Sequence, residues 1–180
     1  MYQHNVGFSI LPDVVAEFYA IGQLEVLNGL SSAFFISDYG QAQLQESEID
    51  LKGTELVVLD GDADLAAFDE IRQMNPRLAI ADVGALAIAM KTKAVVLTND
   101  SVVRYVANTM QLCTWGTLRL LEYAVALGSI LAFHAVAIVE KLAVFAGWLT
   151  SELRKVFKER IYKAAQFAMS ESCSLLPSAY

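Results

Sequence analysis

Residues 81–108 read ADVGALAIAMKTKAVVLTNDSVVRYVAN, and the order of residue types in this stretch decides the fold. Asp82 opens a predicted helix. Val83 to Met90 are small or aliphatic throughout, which predicts burial around most of the helix rather than along one stripe. Lys91-Thr92-Lys93 supplies a turn. Ala94 to Leu97 is a continuous apolar run, as expected of a strand covered on both faces, and Thr98-Asn99-Asp100 then starts a second helix. A helix of about ten residues rises roughly 15 Å and a strand of about five residues roughly 16 Å. A chain that runs down one and back along the other brings Asp82 close to Asp100. Each aspartate alone suits a helix start, where its oxygens accept free backbone N–H groups and its charge suits the dipole. Their convergence makes them functional candidates.

Strands and helices alternate through the preceding residues as well. Val6 to Leu11 is a predicted strand, Pro12 and Asp13 start an apolar helix to Ile21, and Gly22 separates it from a short helix, Gln23 to Leu30. Ala33 to Ile36 is the second strand. Ser37 and Asp38 cap a helix through about Glu46, and Glu46 to Lys52 is charged and exposed. Leu56 to Leu59 is the third strand. It ends in Asp60-Gly61-Asp62-Ala63-Asp64, read as the start of a helix over Leu65 to Gln73. A calcium-loop reading fails there, because Leu65 stands where the sharp turn needs glycine and Ile71 where the loop needs its bidentate glutamate. The likeness of this Asp-x-Asp to the haloacid-dehalogenase nucleophile motif covers only a few residues. Leu112 to Trp115 is the fifth strand.

This alternation predicts an α/β fold with a largely parallel sheet. In such sheets the residues following the strands gather at the carboxyl edge. Asp13, Asp38 and Asp100 follow strands, and Asp82 joins them by the helix-and-return argument.

The chain has 180 residues, enough for one well-buried domain. Apolar residues make up 56% and charged residues 18%, so the core is large for the surface or part of the surface is covered by a partner. With 13 basic and 20 acidic residues the net charge is −7, which disfavours indiscriminate nucleic-acid binding and requires local compensation by cations or basic helices for any nucleic-acid chemistry. Cys113 and Cys173 form neither a disulfide framework nor a metal-ligand spacing. A reducing cytoplasm is therefore the expected compartment, and the first residues lack the basic and apolar regions of a signal peptide. The longest uncharged run, Tyr123 to Val139, falls short of the ~20 residues of a transmembrane helix and contains Gly128, Ser129 and His134. It therefore reads as two packed helices and not as a membrane span.

After Gly116-Thr117 the pattern is helical: Leu118 to Leu127, Ile130 to Phe145, and Ser151 to about Met169, with Gly128 and Gly147 as C-cap glycines. His134 reads as a packed residue. Arg154, Lys155, Lys158, Arg160 and Lys163 give the last helix a cationic face, suited to solvent, RNA or an acidic partner.

The stretch ADVGALAIAM, then VVLTND, then RYVA, a strand and Gly116-Thr117-Leu118 resembles the second half of a PIN domain. Asp13 after a strand, IGQLEVLNGL and the strand FFIS resemble the first half more faintly. The helices of GSILAFHAVAIVEKLAVFAGWLTSEL are similar to the C-terminal extension of VapC-like bacterial toxins. The resemblance implies a three-layer α/β/α fold with a mostly parallel five-stranded sheet and extra C-terminal helices. One domain would span 1–169, with 118–169 as its helical part and 170–180 as an irregular tail.

It further implies a metal-dependent endoribonuclease, the toxin of a toxin–antitoxin pair, holding Mg²⁺ or Mn²⁺ on Asp13, Asp82 and Asp100 with Thr98 orienting the site. The glutamate of the second acidic position is replaced: Gln43 aligns there, and Glu46 lies one turn on. Glutamine offers a neutral carbonyl, so the site loses one charge and its hold on a hard cation weakens. The alternative is a catalytically weakened PIN-like module that binds RNA or protein. Arg104, Arg154, Lys155 and Lys158 are the candidate substrate or partner contacts. RNA, an antitoxin-like protein and a second copy of the chain are the expected partners, the last through Phe133, Val144 and Trp148.

Overall fold

A computed structural model describes residues 6–30 and 32–174. Five parallel strands form one sheet: β1 (Phe8–Ile10), β2 (Phe34–Ser37), β3 (Thr54–Val57), β4 (Val95–Leu97) and β5 (Thr114–Trp115), in the order β3-β2-β1-β4-β5. Helices α1 (Pro12–Ala20) and α2 (Leu24–Asn28) cross from β1 to β2, and α3 (Asp38–Glu46) crosses from β2 to β3. Helices α4 (Asp62–Met74) and α5 (Ile80–Thr92) return the chain to β4, and α6 (Ser101–Thr109) leads to β5. The result is a PIN-like α/β/α architecture, with every pairing parallel. The chain builds outward from β1 on one side, then resumes on the other at β4. Strand order therefore reverses between β1 and β4, where Ile10 pairs with Leu97, and the crevice beyond their carboxyl ends is where open α/β sheets bind ligands.

Helix α5 is buried as its composition requires: Ala81 and Val83 to Ala89 are all buried. Each fully buried aliphatic side chain such as Leu86 or Ile88 contributes about 1.5–3 kcal/mol. Small residues let α5 lie close to the sheet. A Cβ at Gly84 would come within 2.8 Å of Ser37 Oγ, so glycine is what permits this approach to the end of β2. The buried hydroxyl of Ser9 donates to the Ala85 carbonyl at 2.7 Å, tying β1 to the middle of α5.

Several boundaries differ from the sequence reading. Strand β3 begins two residues before the expected Leu56 and ends at Val57. It is an edge strand, Leu56 and Val58 are exposed, and apolar residues therefore do not mark its paired segment. Helix α4 starts at Asp62, before the expected Leu65, with Asp62 and Asp64 in the first turn where the dipole favours them. Asp64 also takes an ion pair from Lys91 at 2.6 Å. Asp82 does not open α5; it sits in its first turn and reaches back, Oδ2 accepting from Ala79 N–H at 3.2 Å.

Compactness divides the chain into residues 1–117 and 118–180. The second unit carries most of α7 (Thr117–Ala126), all of α8 (Ala132–Leu142) and α9 (Ser151–Ser174). Gly128 takes φ +73°, the left-handed turn expected after α7. Helix α8 stops at Leu142, short of the expected Phe145, with Ala143 rather than Gly147 as its cap. Helix α9 runs through Ser174, past the expected end near Met169; residues 175–180 of the expected tail lie outside the described residues. Among the described residues no helix is long and apolar enough to cross a membrane.

Candidate active site

The carboxyl ends of β1 and β4 bring acidic groups together at the reversal of strand order. Asp13 lies in the first turn of α1, directly after β1, with Oδ1 accepting from its neighbour Val14 N–H at 2.7 Å. One side of the residue is open to solvent, while dense protein lies against the other. Burial pushes the Asp13 carboxyl up to about 6. The Val14 and Asn99 backbone N–H groups oppose the rise, and the charges of Glu17 and Asp82 add to it. Asp82, half-buried, is raised by burial first and then by Asp100, against the Ala79 N–H. Asp100 caps α6 through Oδ1, which accepts from Val102 N–H at 2.6 Å and Val103 N–H at 3.2 Å. A chain of mutual repulsion thus links Glu17, Asp13, Asp82 and Asp100.

The turn after β4 is held from several directions. Thr98 is fully buried; its Oγ1 accepts from Asp100 N–H at 3.0 Å, and its N–H donates to the Trp115 carbonyl at 3.0 Å. Arg104 donates Nε and Nη2 to the Thr98 carbonyl at 3.2 and 2.9 Å. The Asn99 side chain donates Nδ2 to Glu17 Oε2 at 2.6 Å and to Thr117 Oγ1 at 2.7 Å, and its Oδ1 accepts from Thr117 N–H at 3.0 Å. Gly116 makes room for this, since a Cβ there would collide with the Arg104 guanidinium and come within 2.8 Å of Asn99 Oδ1.

A family model for the PIN domain matches residues 13–163. The chain belongs to the PIN domain family. No curated protein matches it. PIN domains are generally nucleases and generally use divalent metal ions.

The candidate ligands suit a hard cation in kind, because Asp13, Asp82 and Asp100 offer carboxylate oxygens and Thr98 a hydroxyl. Asp82 and Asp100 each commit one oxygen to a helix start and keep the other. Among the described residues no three Asp, Glu, His or Cys side chains already converge on one point. Asp13, Asp82 and Asp100 thus lie at one end of the sheet without converging on one point.

Gln43 and Glu46 are both exposed on α3, and the carboxylates that act on Asp13 and Asp82 are Glu17, Asp82 and Asp100. Arg104 is half-buried and braces Thr98. In the helical unit, Arg154 and Lys158 pair with Glu140 at 2.8 and 2.7 Å, while Lys155 is exposed. Lys158 foremost, then Arg154, holds Glu140 below the usual carboxylate range. The cationic face of α9 is thus partly neutralised from α8.

Glu17, Asn99 and Thr117 were missed as site residues by the sequence reading. The spacing of Asp13 and Glu17, four residues apart on one helix, was the available signal. Asn99 and Thr117 carry no such signal, because their pairing depends on the β4–β5 register.

Proposed function

We propose that this PIN protein is a metal-dependent endoribonuclease, with Asp13, Asp82 and Asp100 as the metal-holding carboxylates and Thr98 in support. The observation that carries the reading is the gathering of Asp13, Asp82 and Asp100 at the reversal of strand order, where the charge of Asp82 bears on Asp13 and that of Asp100 on Asp82. Acids that repel one another beside a crevice are a functional signature, since the fold bears their repulsion without gain to its own stability. When bound, Mg²⁺ or Mn²⁺ supplies a Lewis acid that activates water and neutralises charge on the scissile phosphate. The chain's own contribution is to hold the carboxylates in place. Asp82 and Asp100 are fixed by first-turn bonds at the starts of α5 and α6, and the Thr98 hydroxyl fixes the Asp100 backbone. The family resemblance adds a toxin role, with an antitoxin-like protein as partner in the cytoplasm.

Mn²⁺ titration by calorimetry together with cleavage of a labelled RNA tests the enzyme reading. Heat of binding at millimolar metal and metal-dependent cleavage are expected. A chain that binds no Mn²⁺ removes it. The toxin role is tested by expression in a growing bacterium, where the parent and not Asp100→Asn should arrest growth. A second reading, a weakened module that binds RNA or protein without cleaving it, is favoured by Gln43, which offers no carboxylate. RNA retention without cleavage under saturating Mn²⁺ would select it.

A further inference from the structure

We propose that Glu17 is a positioning residue for the acidic cluster: through Asn99 it sets the turn after β4 so that Asp13 and Asp100 face one opening. This rests on the nuclease reading of the cluster. Glu17 follows Asp13 by one helical turn of α1 and so shares its face. Its Oε2 accepts from Asn99 Nδ2 at 2.6 Å, the short distance of a charge-assisted bond, and from Thr117 Oγ1 at 3.3 Å. The Asn99 amide can satisfy this geometry in one orientation only. Nδ2 must face the carboxylate and Oδ1 must face Thr117 N–H, since neither a carboxylate nor an N–H can exchange its role.

Asn99 in turn touches both ends of the cluster. Its backbone N–H acts on the Asp13 carboxyl, opposing the rise that burial causes, and it lies between Thr98, whose Oγ1 holds Asp100 N–H, and Asp100 itself. Displacing Asn99 therefore moves the settings of Asp13 and Asp100 together. Glu17 is the charged anchor of that residue, drawn from the helix that also carries Asp13. The Thr117 contacts join the same anchor to the end of β5, so one side chain ties together three segments that are remote in sequence.

The test uses the full chain and the variants Glu17→Ala, Glu17→Gln, Asn99→Ala and the double Glu17→Ala/Asn99→Ala. Two readouts are followed: the Asn99 side-chain and Asp100 backbone amide resonances in ¹H–¹⁵N spectra, and Mn²⁺ affinity by calorimetry. Glu17→Ala is expected to shift both resonances in a still-dispersed spectrum and to weaken Mn²⁺ about tenfold, as loss of a supporting partner does. It should add nothing further to Asn99→Ala. Glu17→Gln keeps the acceptor oxygen and should return resonances and affinity toward the parent. Parent-like resonances and affinity in Glu17→Ala overturn the proposal. So does a Glu17→Gln variant as weak as Glu17→Ala with Asn99 undisturbed, which would make Glu17 a charge rather than an anchor. If Glu17→Ala does not fold, Asn99→Ala decides, and parent affinity there overturns the proposal. A parent that binds no Mn²⁺ instead defeats the nuclease reading itself, and the role of Glu17 falls with it.

Discussion

Asp82, in the first turn of α5, raises the carboxyl of Asp13, in the first turn of α1. Burial contributes most to that rise and Glu17 adds to it, bringing Asp13 to about 6. An unfolded aspartate titrates near ~3.9, so between about 4 and 6 the folded chain binds more protons than the unfolded one. By linkage, this group's contribution to stability falls as pH rises through that window, and the penalty is full above it.

Asp13→Asn should therefore stabilise the metal-free chain at pH 7.5 and leave it unchanged at pH 4. Discounting for the solvent-open side, the gain is about 1 kcal/mol or less. A melting point about 2–4 °C higher corresponds to it. Differential scanning calorimetry at both pH values checks the prediction; an equal shift at both would show that burial of the residue, not its charge, is responsible. Mn²⁺ affinity should fall in the same variant, separating stability from function.

Asp100→Asn should abolish cleavage and spare the fold. Asparagine caps helices about as well as aspartate, whereas Asp100→Ala would also cost about 1 kcal/mol in capping. Loss of a group at the reacting centre costs on the order of 100-fold or more in rate. Single-turnover cleavage of RNA, paired with thermal melts, reads both quantities. An Asp100→Asn protein that cleaves like the parent would defeat the site assignment.

Gln43→Glu should tighten Mn²⁺ binding and raise cleavage by adding a carboxylate on α3. The counterpart is Glu46→Gln, which should leave both nearly unchanged. Calorimetry on the two variants decides the register of α3 against the site. If Glu46→Gln abolishes activity and Gln43→Glu does nothing, Glu46 holds the second acidic position.

Gly116→Ala should destabilise the first unit. The added methyl meets the Arg104 guanidinium and Asn99 Oδ1, so Arg104 must leave the Thr98 carbonyl or the β5 exit must move. Overpacking of this kind costs about 1–3 kcal/mol. Urea unfolding monitored by circular dichroism should show a lowered midpoint with an unchanged slope. A parent-like midpoint would mean that Arg104 swings away freely and does not brace the turn.

The α5–β4 unit was legible in the sequence because burial on all sides leaves an unbroken run of small and aliphatic residues, whichever face is considered. Its return path also placed Asp82 near Asp100. Strand β3 was legible only within two residues, because an edge strand exposes apolar and polar residues alike, as Leu56 and Glu55 do. The supports of the candidate site were harder to read. Glu17, Asn99 and Thr117 meet only once β1, β4 and β5 are in register. The pairing of Glu140 with Arg154 and Lys158 likewise depends on how α8 and α9 pack, which a row of basic residues on α9 does not reveal.

The apolar excess of the chain bears on association. In the helical unit Leu131, Phe133, Val144 and Phe145 are 64%, 65%, 77% and 66% exposed, whereas Trp148 is half-buried and contributes less surface. Burying side chains of this size is worth about 1.5–3 kcal/mol each, and monomers seldom leave such groups together in water. A homodimer that covers Phe133 and Val144 is the expected state. Light scattering should return twice the 19.7 kDa chain mass at micromolar concentrations. The double variant Phe133→Ser/Val144→Ser should shift the species toward monomer and keep its helical signal, because neither side chain is in the core. A parent of single-chain mass across that range, with no partner added, would defeat the prediction and leave those four side chains for a different protein to cover.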